Sequence, residues 1–293
     1  MSQPVWTVGE AMDWTVRYFE EKDVPQPRVS AEWLLSAATG LSRIELYAYR
    51  ERPLTGDERA TLRESVKRRA EGMPLQYVTG EVPFRTLVLH VRPGVFIPRP
   101  ETEVLVEVGL EHLRGTSGSR VALDLCTGAG AVAVSLAREC EGLRVWATDV
   151  SAEAVEVALG NSLRSGVADR VSFLQGDLFE PLPSELRGRV ELILSNPPYV
   201  PSEDLVDLPR EVASYEPATA LDGGLDGLDV VRRISAQAGA WLAPGGLLAI
   251  EVDSRTAGTA AAVLDESGFA GVFVRQDLTG RDRIVGGRQE AGT

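Results

Sequence analysis

The chain has 293 residues, of which 44% are apolar, enough to fill the core of one large or two ordinary domains. Its formal net charge of −13 argues against nonspecific binding to phosphate backbones, and no apolar run is long enough to span a bilayer. With two cysteines, two histidines and no signal-peptide pattern, we expect a cytoplasmic protein with reduced thiols, no metal site and no Cys/His nucleophile.

The charge is unevenly distributed. Residues 1–77 carry 11 Lys and Arg against 12 Asp and Glu, a net charge of −1, whereas the remainder carries 19 against 31, a net charge of −12. The nearly neutral first part contains one basic run, formed by Arg63, Lys67, Arg68 and Arg69. We interpret this run as a solvated helix face, with docking to an acidic partner as the alternative.

Helical periodicity dominates the first part of the chain. From about Thr7 to Glu71, apolar positions recur at spacings of three and four, with breaks at prolines and glycines. The spacing predicts a bundle of four or five short helices.

Over 87–92 the period changes to two, and Pro93-Gly94 is a turn signal before Val95-Phe96-Ile97. This second pattern predicts a β-hairpin that turns at Pro93-Gly94.

Beyond Pro100 the chain alternates between helix and strand patterns. The predicted helices are 101–114, 131–139, 151–165 with Ser151 as its N-cap, 228–242 and 256–266. The predicted strands are 121–125, 144–148, 171–175, 190–194, 247–252, 271–276 and 283–285, with Pro244-Gly245-Gly246 as a turn. Strands that alternate with helices indicate an α/β fold with a doubly wound parallel sheet of about seven strands.

A rigid polar motif, Asn196-Pro197-Pro198-Tyr199, follows the fourth predicted strand. Each proline fixes its own φ and restricts the residue before it, so the motif forms a platform. The Asn196 side-chain carbonyl and a neighbouring backbone carbonyl can accept hydrogen bonds from an NH2 group, while Tyr199 offers a flat face for stacking. The motif predicts a site for a planar, NH2-bearing group; a proline-rich loop with Tyr199 capping the core is the alternative.

Three further strand ends fit an adenosine-bearing cofactor, since ligands bind at the carboxyl ends of the strands in such sheets. The Gly-rich loop 124–130 opens a helix, and Asp149 can accept both hydroxyls of a ribose. Asp177 can reach an adenine amine, with Leu178 beside the ring. The candidate cofactor-binding residues are Asp124, Cys126, Thr127, Gly128, Ala129, Gly130, Asp149, Asp177, Leu178 and Asn196.

The loop alone does not identify the cofactor, because Gly128-x-Gly130-x-x-Ala133 also matches the dinucleotide fingerprint. Two other features favour S-adenosyl-L-methionine over a nicotinamide dinucleotide. Asp124 can hold the ammonium group of a methionyl moiety, and the Asn196 platform lies across the crevice. The residues therefore predict a methyltransferase that releases S-adenosyl-L-homocysteine and uses no metal.

A family resemblance extends over nearly the whole chain. The segments that carry it are 69–80, 97–103, 124–130, Asp149, 196–199, 215–217, 221–228 and 280–283. In these segments the chain resembles the peptide chain release factor N5-glutamine methyltransferases of the PrmC/HemK type. The Pro98-Arg99-Pro100-Glu101-Thr102-Glu103 element and the helical N-terminal domain are the more specific signals, because other amino methyltransferases share the Asn-Pro-Pro-Tyr motif. Cys126 and Asp253 depart from the family pattern, which usually has glycine at both positions.

The resemblance implies a helical substrate-docking domain at 1–76, a hairpin linker at 77–98, a Rossmann-like class I methyltransferase domain at 99–288 and a tail at 289–293. It implies methyl transfer to the glutamine of a Gly-Gly-Gln loop in class I release factors. The Asn196 side-chain oxygen and the Pro197 carbonyl would accept the two N–H bonds of that glutamine, and Pro198 and Tyr199 would complete the substrate site. No general base is obvious.

Two alternatives remain at this point. An N6-adenine or other exocyclic-amine methyltransferase of nucleic acid would need a basic groove or a target-recognition domain, which the charge of −12 opposes. A non-catalytic module that binds S-adenosylmethionine or release factors would lack a methyl-acceptor residue, whereas Asn196 and Tyr199 are both present. We expect a monomer that contacts neither nucleic acid nor membrane.

Overall fold

The computed structural model describes residues 6–114 and 120–290, so part of the predicted tail at 289–293 lies outside it. Within these ranges the chain divides into two compact units. The first comprises the residues up to Glu81 together with Pro209–Tyr215, and the second comprises Val82–Leu208 and the residues from Glu216 onward. None of the helices in the described ranges has the length and apolar character needed to cross a membrane.

The first unit is a helical bundle with its own apolar core, which confirms the predicted helical region. Three of its helices begin at capping boxes, in which Thr7, Ser42 or Thr55 exchanges hydrogen bonds with a glutamate three residues later. Leu34 and Leu35 are among the side chains buried at its centre. The helices are α1 (Val8–Glu21), α2 (Pro27–Thr39), α3 (Arg43–Ala48), α4 (Gly56–Ala70) and α5 (Leu75–Thr79).

A short helix from much later in the chain, Arg210–Tyr215, also belongs to this first unit. Nη1 of Arg69 lies 2.7 Å from Oε2 of Glu211 and donates to the Met73 carbonyl at 2.8 Å. Arg69 is only 4% exposed, so the interpretation of the basic run as a solvated face is wrong for this residue. Arg63 and Lys67 of the same run are exposed, as that interpretation requires.

The hairpin is present, but it turns at a different place than predicted. Its strands are β1 (Glu81–Phe84) and β2 (Leu87–His90), so the predicted strand at Val95-Phe96-Ile97 is wrong. A turn is present at Pro93-Gly94, where Val95 donates to the Arg92 carbonyl at 3.2 Å, but it follows the hairpin instead of joining its strands. The backbone N–H of Ile97 donates instead to Oε2 of Glu216, at 3.4 Å, and the following proline has no N–H to offer a ladder.

The second unit is built on a seven-stranded sheet with the order β5-β4-β3-β6-β7-β9-β8, which confirms the predicted α/β fold. Its strands are β3 (Val121–Leu125), β4 (Arg144–Asp149), β5 (Val171–Gln175), β6 (Val190–Ser195), β7 (Leu242–Glu251), β8 (Ala270–Gln276) and β9 (Asp282–Arg288). The helices of this unit are α6 (Thr102–Arg114), α7 (Ala131–Glu139), α8 (Ala152–Arg164), α10 (Asp229–Ala238) and α11 (Ala257–Glu266), whereas α9 (Arg210–Tyr215) is the late helix of the first unit.

One strand of this sheet departs from the predicted parallel arrangement. Within the described sheet, β9 runs antiparallel to both of its neighbours, β7 and β8. The segment between β8 and β9 is a tight turn in which Asp277 and Arg281 are hydrogen bonded at 2.8 Å. Since a parallel pair needs a crossover of about a dozen residues, this short connection permits only antiparallel pairing.

The chain between α10 and β7 also differs from the prediction. The helix ends at Ala238 instead of Leu242, and β7 begins at Leu242 and continues through Pro244-Gly245-Gly246. Leu242 pairs with Val190, after which the register shifts. The expected turn is therefore an irregularity within a strand, the position at which proline and glycine are tolerated in sheets.

Candidate active site

Two strand ends that carry predicted site residues lie side by side in the second unit. β3 pairs with β4 on one side and with β6 on the other, so the strand order reverses between β3 and β6. The Ser195 hydroxyl donates to the Leu125 carbonyl at 2.8 Å and ties these two ends together. Ligands of doubly wound sheets bind at such a switch point.

The loop after β3 closes around Asp124. Oδ2 of this residue accepts from the Thr127 hydroxyl at 2.5 Å and from the Ala133 backbone at 3.0 Å. Asp124 is 1% exposed, and burial raises its pKa to about 7 although both hydrogen bonds oppose the shift. A cationic group placed beside Asp124 would therefore stabilise the charged carboxylate.

Asp149 braces the same loop from the end of β4. Its Oδ2 accepts from the Gly128 backbone at 2.8 Å, and its Oδ1 accepts from the Ser151 backbone at 2.9 Å. Burial raises the pKa of Asp149, and these backbone hydrogen bonds counter the shift. The structure thus brings Asp124, Asp149 and the Gly-rich loop together at one edge of the sheet.

Backbone conformation explains two residues of this loop. Gly130 has a φ of +81°, and a Cβ there would lie 2.9 Å from the Ala158 Cβ, so helix α7 can begin here only with glycine. Cys126 has a φ of +60°, which is the left-handed conformation that glycine adopts freely. The cysteine keeps the loop shape of the family pattern at a strain of about 1–2 kcal/mol.

Asp177 and Leu178, which follow β5, both make contacts within the protein. The Asp177 carboxylate forms an ion pair with Arg233 of α10. Leu178, with a φ of +49°, is buried in the core of the unit. A contact between Asp177 and an adenine amine stays a prediction, and it would compete with the ion pair.

The Asn196 side chain is held by a residue that the sequence reasoning did not assign. Nδ2 of Asn196 donates to Oγ1 of Thr102 at 3.1 Å, so the amide presents its Oδ1 in another direction. Thr102 begins α6 and is 3% exposed. Burial, together with the charge of Glu251, raises the pKa of the Tyr199 phenol, which stays neutral.

The platform rests on the Gly-rich segment 221–228. Val200 donates to the Leu221 carbonyl at 2.9 Å, and Gly223 donates to the Val200 carbonyl at 2.8 Å. A Cβ on Gly223 would lie 2.8 Å from the Tyr199 Cα, and one on Gly227 would lie 2.3 Å from the Tyr199 carbonyl oxygen. The glycines thus allow one backbone to pack directly on another.

Two further motif residues form an ion pair in this unit. The buried Glu216 pairs through one oxygen with Arg99, while its other oxygen accepts from Ile97. The Arg99 guanidinium also lies 4.9 Å from the centre of the Phe96 ring. This pair anchors the segment that leads to Thr102.

Glu251 is a second site residue that the sequence reasoning left unassigned. It follows Ile250, which pairs with Ser195, so Glu251 and Asn196 occupy adjacent strand ends. Glu251 is 0% exposed, and neither carboxylate oxygen has a hydrogen-bond partner among the described residues. Burial raises its pKa to about 7, although the nearby Thr102 hydroxyl and Arg283 lower it. A glutamate ending an otherwise apolar strand was the available signal.

The acidic strand ends decide which cofactor the residues fit. Three of them carry Asp124, Asp149 and Asp177, and the loop 124–130 contains neither Lys nor Arg. Carboxylates suit an ammonium group and ribose hydroxyls, whereas they repel the phosphates of a dinucleotide. The donor set therefore fits S-adenosylmethionine better than a nicotinamide dinucleotide.

Comparisons with known proteins identify the family. Residues 10–80 match the model of the PrmC N-terminal domain, and residues 87–208 match that of the methyltransferase small domain. A release factor glutamine methyltransferase from Geobacter sulfurreducens is 44% identical over 284 residues, which cover 97% of each chain. One from Chlorobaculum tepidum is 40% identical over 75% of this chain and 76% of its own.

A solved methyltransferase structure has a similar fold. A methyltransferase from Pyrococcus furiosus has a TM-score of 0.50 at 18% identity, over 69% of this chain and 88% of its own. A release factor-specific protein-(glutamine-N5) methyltransferase from Alicyclobacillus acidocaldarius is 29% identical over 66% of this chain and 94% of its own, with a TM-score of 0.41. Since the sequence identity extends over nearly the full length, the chain belongs to the release factor glutamine methyltransferase family.

Proposed function

We propose that this protein transfers a methyl group from S-adenosyl-L-methionine to the side-chain amide nitrogen, N5, of the glutamine in the Gly-Gly-Gln motif of class I release factors. The observation that carries the proposal is the orientation of Asn196. Its Nδ2 is engaged by Thr102, so its Oδ1 is the atom that can meet an NH2 group beside the cofactor loop. The names of the relatives support the same substrate.

The chemistry explains why such a platform is needed. An amide nitrogen is a poor nucleophile because its lone pair is delocalised into the carbonyl. Oδ1 of Asn196 and the Pro197 carbonyl would accept its two N–H bonds, which fixes the nitrogen and increases its electron density. Tyr199 would pack against the amide plane, and Pro198 stiffens the backbone between them. S-Adenosylmethionine, when bound, supplies a methyl group on a sulfonium sulfur.

The cofactor would be held by the acidic strand ends. Asp124 would pair with the methionyl ammonium, Asp149 with the ribose hydroxyls and Asp177 with the adenine amine beside Leu178. The backbone of the loop, including Thr127 and Ala129, would receive the methionyl carboxylate at the N-terminus of α7.

We expect the affinity for S-adenosylhomocysteine to increase as the pH rises from about 6 to about 8. Asp124 has a pKa of about 7 in the free protein, so binding of an ammonium group below that pH must first release its proton. Linkage predicts up to ~10-fold tighter binding per pH unit below the pKa and a plateau above it. Isothermal titration calorimetry at several pH values measures this dependence.

Two variants make this measurement specific. Asp124→Asn should bind more weakly and with no step in this range, whereas Glu251→Gln should keep the step. An equal pH dependence in Asp124→Asn and the natural protein would contradict the assignment of Asp124 to the ammonium group.

The substrate is tested by incubation with methyl-labelled S-adenosylmethionine, a class I release factor and its variant with Gln of the Gly-Gly-Gln motif replaced by Ala. We expect label on the unaltered release factor and none on the variant. Label on both proteins would contradict the glutamine assignment, and label on added DNA would support an exocyclic-amine methyltransferase instead.

The proposal extends to the organisation of the chain. Residues 1–76 would dock the release factor, 77–98 would link the two domains and 99–288 would carry the chemistry. We propose a cytoplasmic monomer, since translation termination takes place in the cytoplasm and one chain contains every residue assigned above.

A further inference from the structure

The side chains behind Asn196 control which of its two amide atoms faces the crevice. An asparagine amide has a donor end and an acceptor end of nearly equal size. If Nδ2 faced the acceptor glutamine, two N–H donors would oppose each other and the substrate amide would lose a hydrogen bond. The direction of this one side chain therefore matters for the proposed reaction.

Thr102 is the residue in contact with the donor end. Its Oγ1 accepts from Nδ2 of Asn196 at 3.1 Å, and the residue is almost fully buried. A hydroxyl has one proton of its own and can donate it to a further acceptor. Threonine alone does not fix the direction, because the same hydroxyl could donate to Oδ1 of a reversed Asn196.

Glu251 is the group that can fix the orientation of the Thr102 hydroxyl. It lies at the strand end beside Asn196, is fully buried, and has both oxygens without a hydrogen-bond partner among the described residues. An ionised carboxylate only accepts hydrogen bonds, so it would draw the Thr102 proton to its own side. Thr102 can then only accept a hydrogen bond from Asn196, and the Asn196 atom that donates is Nδ2. The groups of neighbouring elements that shift the pKa of Glu251 are Thr102, Arg283, Glu101 and Arg99. The Glu251 charge in turn raises the pKa of Tyr199.

We propose that Thr102 and Glu251 are positioning residues, which together hold Asn196 with its Oδ1 toward the acceptor amide. The Glu251 carboxylate accepts the proton of Thr102, Thr102 accepts from Nδ2, and Oδ1 is left for the substrate. This inference rests on the proposed function. When Glu251 is protonated, it can donate to Thr102, and Thr102 can then donate to Oδ1 and reverse the amide.

The orientation can be observed without any turnover, because the chain has only two asparagines, Asn161 and Asn196. In protein labelled with [15N]asparagine, the Asn161 amide serves as a reference, since its Nδ2 donates to the carbonyls of His90 and Ala129. We expect the Asn196 NH2 resonances to titrate with a midpoint near the Glu251 pKa of about 7 and to lose this step in Glu251→Gln. An unchanged step in Glu251→Gln would overturn the proposal.

Kinetics provide the second measurement. We expect Thr102→Val, which keeps the shape but removes the hydroxyl, to lower kcat by roughly 10-fold with little change in the KM for the release factor. Thr102→Ser should restore most of kcat. With S-adenosylmethionine saturating at every pH, Glu251→Gln should remove the acidic limb of the kcat profile. Glu111→Gln, which changes an exposed carboxylate on the same helix as Thr102, serves as the control and should behave like the natural protein.

These outcomes separate the inference from the proposed function. Normal kcat in Thr102→Val, while the natural protein methylates the glutamine, would overturn the positioning role and leave the function intact. Loss of activity in Thr102→Val that Thr102→Ser does not restore would also count against it. If the natural protein failed to methylate the glutamine, the function itself would fail, and the Asn196 resonances would still report whether Thr102 and Glu251 orient the amide.

Discussion

Asn196→Ala is expected to lower the rate of methyl transfer by at least ~100-fold, in line with the cost of removing one preorganised polar contact at a reacting centre. The variant loses the Oδ1 atom that we propose accepts from the substrate amide, and it also loses the hydrogen bond to Thr102. Single-turnover measurement with saturating cofactor and release factor isolates this step from binding.

A matched control lies a few residues further along the chain. Among the residues that the structure describes, the Ser202 hydroxyl bonds to the exposed Asp222 alone, at 2.7 Å, so Ser202→Ala should change the rate by no more than about twofold. Binding of S-adenosylhomocysteine by both variants shows that the fold is intact. Near-normal turnover of Asn196→Ala would contradict the role assigned to the residue.

Gly227→Ala is the second substitution with a large expected effect. The new Cβ would lie 2.3 Å from the Tyr199 carbonyl oxygen, and the backbone φ of +77° already disfavours any side chain. We expect a loss of about 2–4 kcal/mol in the free energy of unfolding, from backbone strain and overpacking together. The platform must also shift, and a displacement near 1 Å costs about 100-fold in rate.

Gly258→Ala is the appropriate control for this change. Gly258 lies in α11, and a Cβ there would have no atom within 4 Å. Alanine should raise the stability by about 0.5–1 kcal/mol and leave the rate unchanged. Urea denaturation and activity at a temperature where each variant is folded test both effects. A folded Gly227→Ala protein with the natural rate would show that the platform does not depend on segment 221–228.

The sequence predicts the elements whose limits are marked by local signals. Strand Val121–Leu125 and helix Ala131–Glu139 have the predicted bounds, because an apolar run and a Gly-rich loop define them. The hairpin was misassigned because its first strand, Glu81–Phe84, contains a proline and shows little period-two signal. The direction of β9 depends on the partner it finds in the sheet, and a linear pattern does not carry that information.

Some residues of the candidate site could be predicted from local sequence signals, and others could not. Asp124, Asp149 and Asn196 could be proposed because each lies at or close to the carboxyl end of a predicted strand, and the topology of the sheet then brings such ends to one edge. Thr102 and Glu251 could not, because the roles that we propose for them depend on contacts between distant segments. Thr102 is 94 residues from Asn196 in the chain. Glu251 lies beside Asn196 only because their strands pair in the folded sheet.

The helix Arg210–Tyr215 has a consequence for how the chain can be divided. Because it belongs to the first unit, the chain passes between the two units three times, after Glu81, Leu208 and Tyr215. A single cut near Glu81 would therefore leave this helix attached to the second unit but without the helices it packs on. Glu211 would lose Arg69, its buried partner. The first unit is thus complete only when Pro209–Tyr215 is present, so a fragment that ends near Glu81 would lack part of it.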